Sequence, residues 1–343
     1  MKVFLNSKHH LHHPKGELDG GVFVPPFEKP ERVEMILNAL QAQGFDRPIS
    51  SGTPDTNLVN SVHAPDYVNF LESAYSEWVA AGLEGEVMAN IFPSRSTHLN
   101  RPPKDIVGRT GYYALAVETS ITETTLDAAL GSAAAALDAS QAILDGDTGA
   151  FALCRPPGHH ASVDQFGGYC FLNNAALAAE KLRQNGAKRV AIVDVDFHHG
   201  NGTQSIFYDR DDVFFASLHG HPEDEFPYYL GYADETGAGE GSGYTLNLPF
   251  RPGTDYKTWA EGLLHALQEV TKVSAEALVI SLGVDTYKDD PISSFKLESD
   301  DFFDMGARIA ALGLPTVFVM EGGYAVEQIG TNTANTLSGF LNA

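Results

Sequence analysis

Between residues 149 and 320 the chain alternates short apolar, β-rich runs with polar or helical stretches. The runs are "GAFAL" (149–153), "RVAIVDV" (189–195), "VFFASL" (213–218), "YTLNL" (244–248), "ALVISL" (277–282) and "PTVFVM" (315–320). Unbroken apolar runs of this length read as strands buried on both faces. Helical patterns at about 171–185, 256–272, 300–312 and 326–340 lie between or after them. Strands alternating with helices build a mostly parallel, open sheet with helices on both faces, an α/β fold. The first half fits the same plan. "KVFLN" (2–6) reads as a strand, 31–43 and 65–80 as helices, and 126–145 as an Ala-rich helix stopped by Gly146.

A chain of 343 residues accommodates one large domain or two smaller ones. No repeat, charge block or linker divides it, so a single domain over 1–343 is expected. Residues 82–110 depart from the pattern: Gly, Pro, Arg and Ser with little periodicity. Long irregular segments inside a domain are typically functional or interacting, and this one reads as an insertion.

Charge narrows the partners. The chain carries 45 acidic against 22 basic residues, a formal net charge of −23. That opposes binding to nucleic acid or to an anionic membrane surface and favours a cationic small molecule. No apolar run is long enough to span a bilayer. "MKVFLNSKHH" is too polar for a signal peptide, which makes the cytoplasm the expected location. The two cysteines, Cys154 and Cys170, exclude a disulfide framework and read as reduced thiols.

In open α/β sheets ligands bind outside the carboxyl ends of the strands. Four expected strand ends carry reactive groups. "CRPPGHH" brings His159 and His160, "DVDFHHG" brings Asp194, Asp196, His198 and His199, "SLGVDTY" brings Asp285, and "EGGY" brings Tyr324. Polar turns explain one such end more readily than four. Asp196, His198 and Asp285 supply two carboxylates and an imidazole, a three-ligand set suited to catalytic zinc with an open position. In an extended segment Asp196 and His198 point the same way. The tandem histidines can divide general acid–base and electrostatic work. Tyr324 follows two glycines and can donate to a developing oxyanion.

Together "CRPPGHH", "FGGYCFLNNAA", "DVDFHHGNGTQ", "SLH", "SLGVDT" and "MEGGY" resemble the arginase-deacetylase superfamily, in particular zinc-dependent histone deacetylases and bacterial acetylpolyamine amidohydrolases. "VHAPDYVNFL" (62–71) fits the same group, and the resemblance runs in order over nearly the whole chain. "GELDGGVFVPPFEKPERVE" and the 82–110 segment look like the acetylpolyamine amidohydrolase branch. The resemblance implies that Asp196, His198 and Asp285 bind one Zn²⁺ per chain and that His160 is the general base and acid, paired with His159. It implies that Tyr324 polarises the acetyl carbonyl, and that Asp194 orients His159 and Asn201 orients His160. Many relatives carry Asp where this chain has Asn201. Asp194, Asp196, His198, Ser217 and Leu218 match a potassium site. Tyr169 would flank the acetylated chain and Gly168 would offer a carbonyl to the amide N–H. Glu17, Asp105 and Glu118 are candidates to read a distal ammonium. His199, Cys154 and Cys170 receive no role.

The reaction expected is hydrolysis of the N-acetyl amide of a small cationic polyamine such as acetylputrescine, acetylcadaverine or acetylspermidine, by a homodimer or a dimer-based oligomer. A protein-lysine deacetylase would use the same catalytic residues. An arginase-like ureohydrolase would need the extra aspartates of a two-manganese site. A non-catalytic acetyl-lysine reader would be expected to lack a ligand or the tyrosine.

Overall fold

The apolar runs become neighbours in one sheet. The computed structural model describes residues 1–94, 96, 99 and 101–343. Its strands are β1 (Lys2–Leu5), β2 (Glu17–Asp19), β3 (Val22–Val24), β4 (Ile49–Ser50), β5 (Gly149–Leu153), β6 (Val190–Asp194), β7 (Val213–Gly220), β8 (Thr245–Phe250), β9 (Ala277–Leu282) and β10 (Thr316–Met320). Eight form a parallel sheet in the order β4-β1-β5-β10-β9-β6-β7-β8, and β2 and β3 pair as a separate antiparallel hairpin. The helices are α1 (Glu31–Ala42), α2 (Thr56–Val62), α3 (Pro65–Ala80), α4 (Ile106–Tyr113), α5 (Thr125–Leu144), α6 (Asn174–Gln184), α7 (Asn201–Phe207), α8 (Tyr256–Lys272), α9 (Asp301–Ala310) and α10 (Val326–Leu341).

Strand side chains alternate between faces, so each strand feeds two cores. Val190, Ile192, Val317 and Val319 pack with residues of α3 to α6, whereas Ala191, Val193, Phe318 and Met320 pack with α1, α8, α9 and α10. The first core contains the Ala-rich α5, where Ala133, Ala135, Ala136 and Ala139 are buried. Small side chains there let the helix lie close to β5 and β1. Asn6, just past β1, is buried beneath it and donates to Ala128 O at 2.8 Å and Arg155 O at 2.6 Å.

The expected strands and long helices appear within one or two residues, with one helix shifted. The helix expected at 171–185 begins at Asn174, because the Asn173 side chain accepts from the Ala176 N–H at 2.9 Å and caps it. The β2–β3 hairpin, β4 and the short helices α2, α4 and α7 escape sequence patterning, being too short to show a period. Of the 82–110 segment, Arg95, Thr97, His98 and Asn100 lie outside the described residues. Its end forms the first turns of α4, and Val87 makes an isolated bridge to Ile121.

Candidate active site

Strands β5, β10, β9 and β6 are consecutive in the sheet. Their carboxyl ends therefore stand side by side, and the residues just beyond them converge although the first and last of them, His159 and Tyr324, are 165 positions apart in sequence. The tandem histidines follow β5, the Asp-x-His segment follows β6, Asp285 follows β9 and Tyr324 follows β10.

Asp196, His198 and Asp285 are all buried, and their ligating atoms lie within 4.8 Å of one another. Backbone amides fix which carboxylate oxygens are turned to the centre. Asp196 Oδ2 accepts from the Gly322 N–H at 2.8 Å and Asp285 Oδ1 from the Phe197 N–H at 2.7 Å. That leaves Asp196 Oδ1 and Asp285 Oδ2 at 3.3 and 3.0 Å from His198 Nδ1. A Cβ at Gly322 would lie 2.6 Å from a carboxylate oxygen of both aspartates, so this position tolerates only glycine. Among the described residues no Lys or Arg pairs with these carboxylates; their ion-pair partners are imidazoles. Burial and the neighbouring Asp196 push the Asp285 carboxyl up to about 8. Such a set, two carboxylates crowded together in a dry centre with one imidazole, fits a divalent cation.

The two histidines differ in setting. His159 donates from Nδ1 to Asp194 Oδ2 at 3.0 Å. Burial opposes its charged form, but Asp196 and Asp194 more than offset that and raise it to about 10. His160 Nδ1 donates to Asn201 Oδ1 at 2.6 Å, which leaves the Nε2 lone pair free. Burial, then the charges of His159 and His198, hold it well below the usual histidine value. His160, His198 and Tyr324 line an open pocket of about 270 Å³.

Aromatic side chains wall that pocket. The Tyr169 ring lies 5.6 Å from that of Tyr324, and Phe226 meets His160 edge-on at 5.1 Å. Gly168 and Tyr169 are held in place by their amides, which donate to Glu118 Oε1 and Thr119 Oγ1, both at 2.8 Å. Glu17, on the hairpin, accepts from Tyr169 Oη at 2.7 Å and from the Phe27 N–H at 3.1 Å. Glu17, Asp19, Glu118 and Glu225 all line the same pocket.

Other expected site residues fall elsewhere. Asp105 is not among the residues lining this protomer's pocket; its carboxylate caps α4, accepting from the Val107 N–H at 2.9 Å. Asp194 faces Ser217 across the β6–β7 register, with Leu218 next along β7. His199 is buried away from the pocket, bonded to Gln204 Oε1 at 3.0 Å and packed on His219 with ring centroids 4.5 Å apart. Cys154 and Cys170 are buried free thiols that burial pushes up, unsuited to nucleophilic work.

Three groups received no role from the sequence. Glu321 Oε2 accepts from the Gly158 and His159 amides at 2.6 and 3.1 Å, anchoring the histidine loop to the end of β10. Arg32, buried on α1, donates to Gly323 O at 2.7 Å and Glu321 O at 2.5 Å, and its guanidinium lies 5.1 Å from the Tyr324 ring centroid. Asp290 bonds the backbone beside Tyr324. The only signal for Glu321 was a carboxylate closing an apolar strand, an expensive place for an unpaired charge.

The family described as histone deacetylase domain matches residues 26–340. The acetylpolyamine amidohydrolase of Mycoplana ramosa is 54% identical over 339 residues, covering 99% of each chain. Acetylpolyamine amidohydrolase 2 of Pseudomonas aeruginosa is 47% identical over 340 residues, 99% of this chain and 98% of that one. The crystal structure of acetylpolyamine aminohydrolase from Burkholderia pseudomallei superposes with a TM-score of 0.93 at 40% identity, covering 99% of this chain and 98% of the other.

Proposed function

The chain belongs to the histone deacetylase family, and from that premise we propose that it hydrolyses the N-acetyl amides of small polyamines to acetate and a free amine. One arrangement carries this reading. A pocket with His160, His198 and Tyr324 along it also has the carboxylates of Glu17 and Glu118 on its wall. A slender acetylated amine with a cationic tail suits such a pocket at both ends.

Asp196, His198 and Asp285 would hold the metal, Zn²⁺ in this reading, and that ion supplies Lewis acidity toward the acetyl oxygen and toward water. The remaining work belongs to side chains. His160 takes the proton of the attacking water at Nε2 and returns it to the departing amine nitrogen. Asn201 keeps its ring in the required tautomer, and His159, held charged by Asp196 and Asp194, lends positive charge alongside. Tyr324 donates its hydroxyl proton in a hydrogen bond to the acetyl oxygen as negative charge grows there. Tyr169 and Phe226 flank the alkyl chain, and the Gly168 carbonyl accepts from the amide N–H. Glu17 and Glu118 attract the distal ammonium.

A potassium ion would be held beside this site by Asp194, Asp196, His198, Ser217 and Leu218, where Asp194 faces Ser217 across the β6–β7 register. Exposed Val22, Phe23, Ile91, Phe92 and Leu99, on the hairpin and in the 82–110 segment, favour a dimer whose second copy narrows the pocket entrance. Among the described residues no helix is long and apolar enough to cross a membrane, and the cytoplasm is the proposed location.

Removing a ligand tests the metal centre. Asp285→Ala leaves two donors, too few to retain the ion. Elemental analysis of the purified variant should show strong metal depletion and the loss of acetate release from acetylputrescine. Wild-type metal content with full activity would overturn the assignment.

A further inference from the structure

We propose that Asp290 is the positioning residue for Tyr324: it clamps the backbone that carries the oxyanion-stabilising hydroxyl. This rests on the amide-hydrolysis reading and on the role of Tyr324 within it. The loop between β10 and α10 is poorly braced by its own sequence. Gly322 and Gly323 precede the tyrosine, and α10 starts from Ala325, which has no capping side chain. Asp290 supplies the missing cap from the loop after β9. Its Oδ2 accepts from the Tyr324 N–H at 2.7 Å and from the Ala325 N–H at 3.0 Å. Its Oδ1 accepts from the Ile292 N–H at 3.2 Å, which fixes the plane of the carboxylate.

The clamp is buried: Asp290 is 6% exposed. A carboxylate at the start of α10 also faces the positive end of that helix. The same loop holds Asp285 and the pocket residue Ile292, so one short segment ties metal ligand, pocket wall and tyrosine together. The Tyr324 ring itself lies against Tyr169 across the pocket and the Arg32 guanidinium beneath. Arg32 grips the carbonyl side of this turn and Asp290 its amide side. A displacement of the hydroxyl by about 1 Å is enough to cost on the order of 100-fold in rate.

A double-mutant cycle on acetylputrescine tests this, with metal content measured for each variant. Asp290→Ala should lower kcat about 10- to 100-fold, the scale of a misplaced group, with KM and metal content close to wild type. Asp290→Asn keeps an oxygen able to accept from both amides and should recover most of that loss. Tyr324→Phe should lower kcat by about 10²–10³, and adding Asp290→Ala to it should cost little more, because no hydroxyl remains to position. Losses that multiply in the double variant, a kcat for Asp290→Ala within about twofold of wild type, or metal lost in proportion to activity would each overturn the proposal. Wild-type kcat in Tyr324→Phe alone would instead overturn the reading of the tyrosine on which the clamp rests.

Discussion

Glu17 shows how burial changes the chemistry a single residue can offer. It is 3% exposed, and burial, with Glu118 and Asp19 facing it, raises its carboxyl to about 7 although Tyr169 and the Phe27 amide favour the ionised form. A raised carboxyl is charged above its pKa and neutral below it. The attraction for a distal ammonium is therefore present above about pH 7 and fades as pH falls through it. KM for acetylputrescine should rise as pH drops from 8 to 6 more steeply than KM for N-butylacetamide, which has no ammonium, and Glu17→Gln should remove the difference. Parallel pH profiles for the two substrates would contradict this. The contrast with Asp105 lies in the same physics. Both are acids in polar sequence, and nothing local distinguishes one that a hairpin buries from one that caps a helix. The residues past the strand ends were legible because four ends carried them at once. Asp290 and Glu321 were not, because their partners are backbone amides far along the chain.

At the scale of elements, long strands and helices announced themselves by period, while their exact contacts did not. Helix α9 crosses α10 so closely that a Cβ on Gly306 would collide with the Thr336 carbonyl, and one on Gly339 with the Phe303 carbonyl. Two glycines inside amphipathic helices look like weaknesses in sequence, since each lowers helix propensity. Here they permit the crossing that seats α10, whose first turn follows Tyr324. Gly306→Val should destabilise the protein by about 1–3 kcal/mol or more through overpacking, read as a lower urea midpoint at unchanged slope. A midpoint equal to wild type would show that the helices separate freely. The α6 start was misread by three residues for a related reason. The aromatic and aliphatic residues before Asn173 continue the apolar pattern, and only the cap marks where the helix begins.

For the whole molecule, sheet order does what local sequence cannot express. Seven strands were visible as runs, but their order in space was not, and it is the adjacency of β5, β10, β9 and β6 that gathers the site. A net charge of −23 adds a long-range pull on cationic substrates, weakened by salt. The exposed apolar side chains of the hairpin and of the 82–110 segment lead to a further expectation: mass determination in solution should give at least a dimer. A monomer would leave the pocket entrance open to bulky substrates. The central claim joins deacetylase chemistry to a small polyamine substrate, and the most direct test is a comparison of kcat/KM for acetylputrescine or acetylcadaverine with that for an acetylated histone, on the same purified protein. The acetylated polyamine should be preferred by a wide margin. Efficient turnover of the histone with little on the polyamines would contradict the account, moving the substrate to protein lysines while leaving the metal site in place.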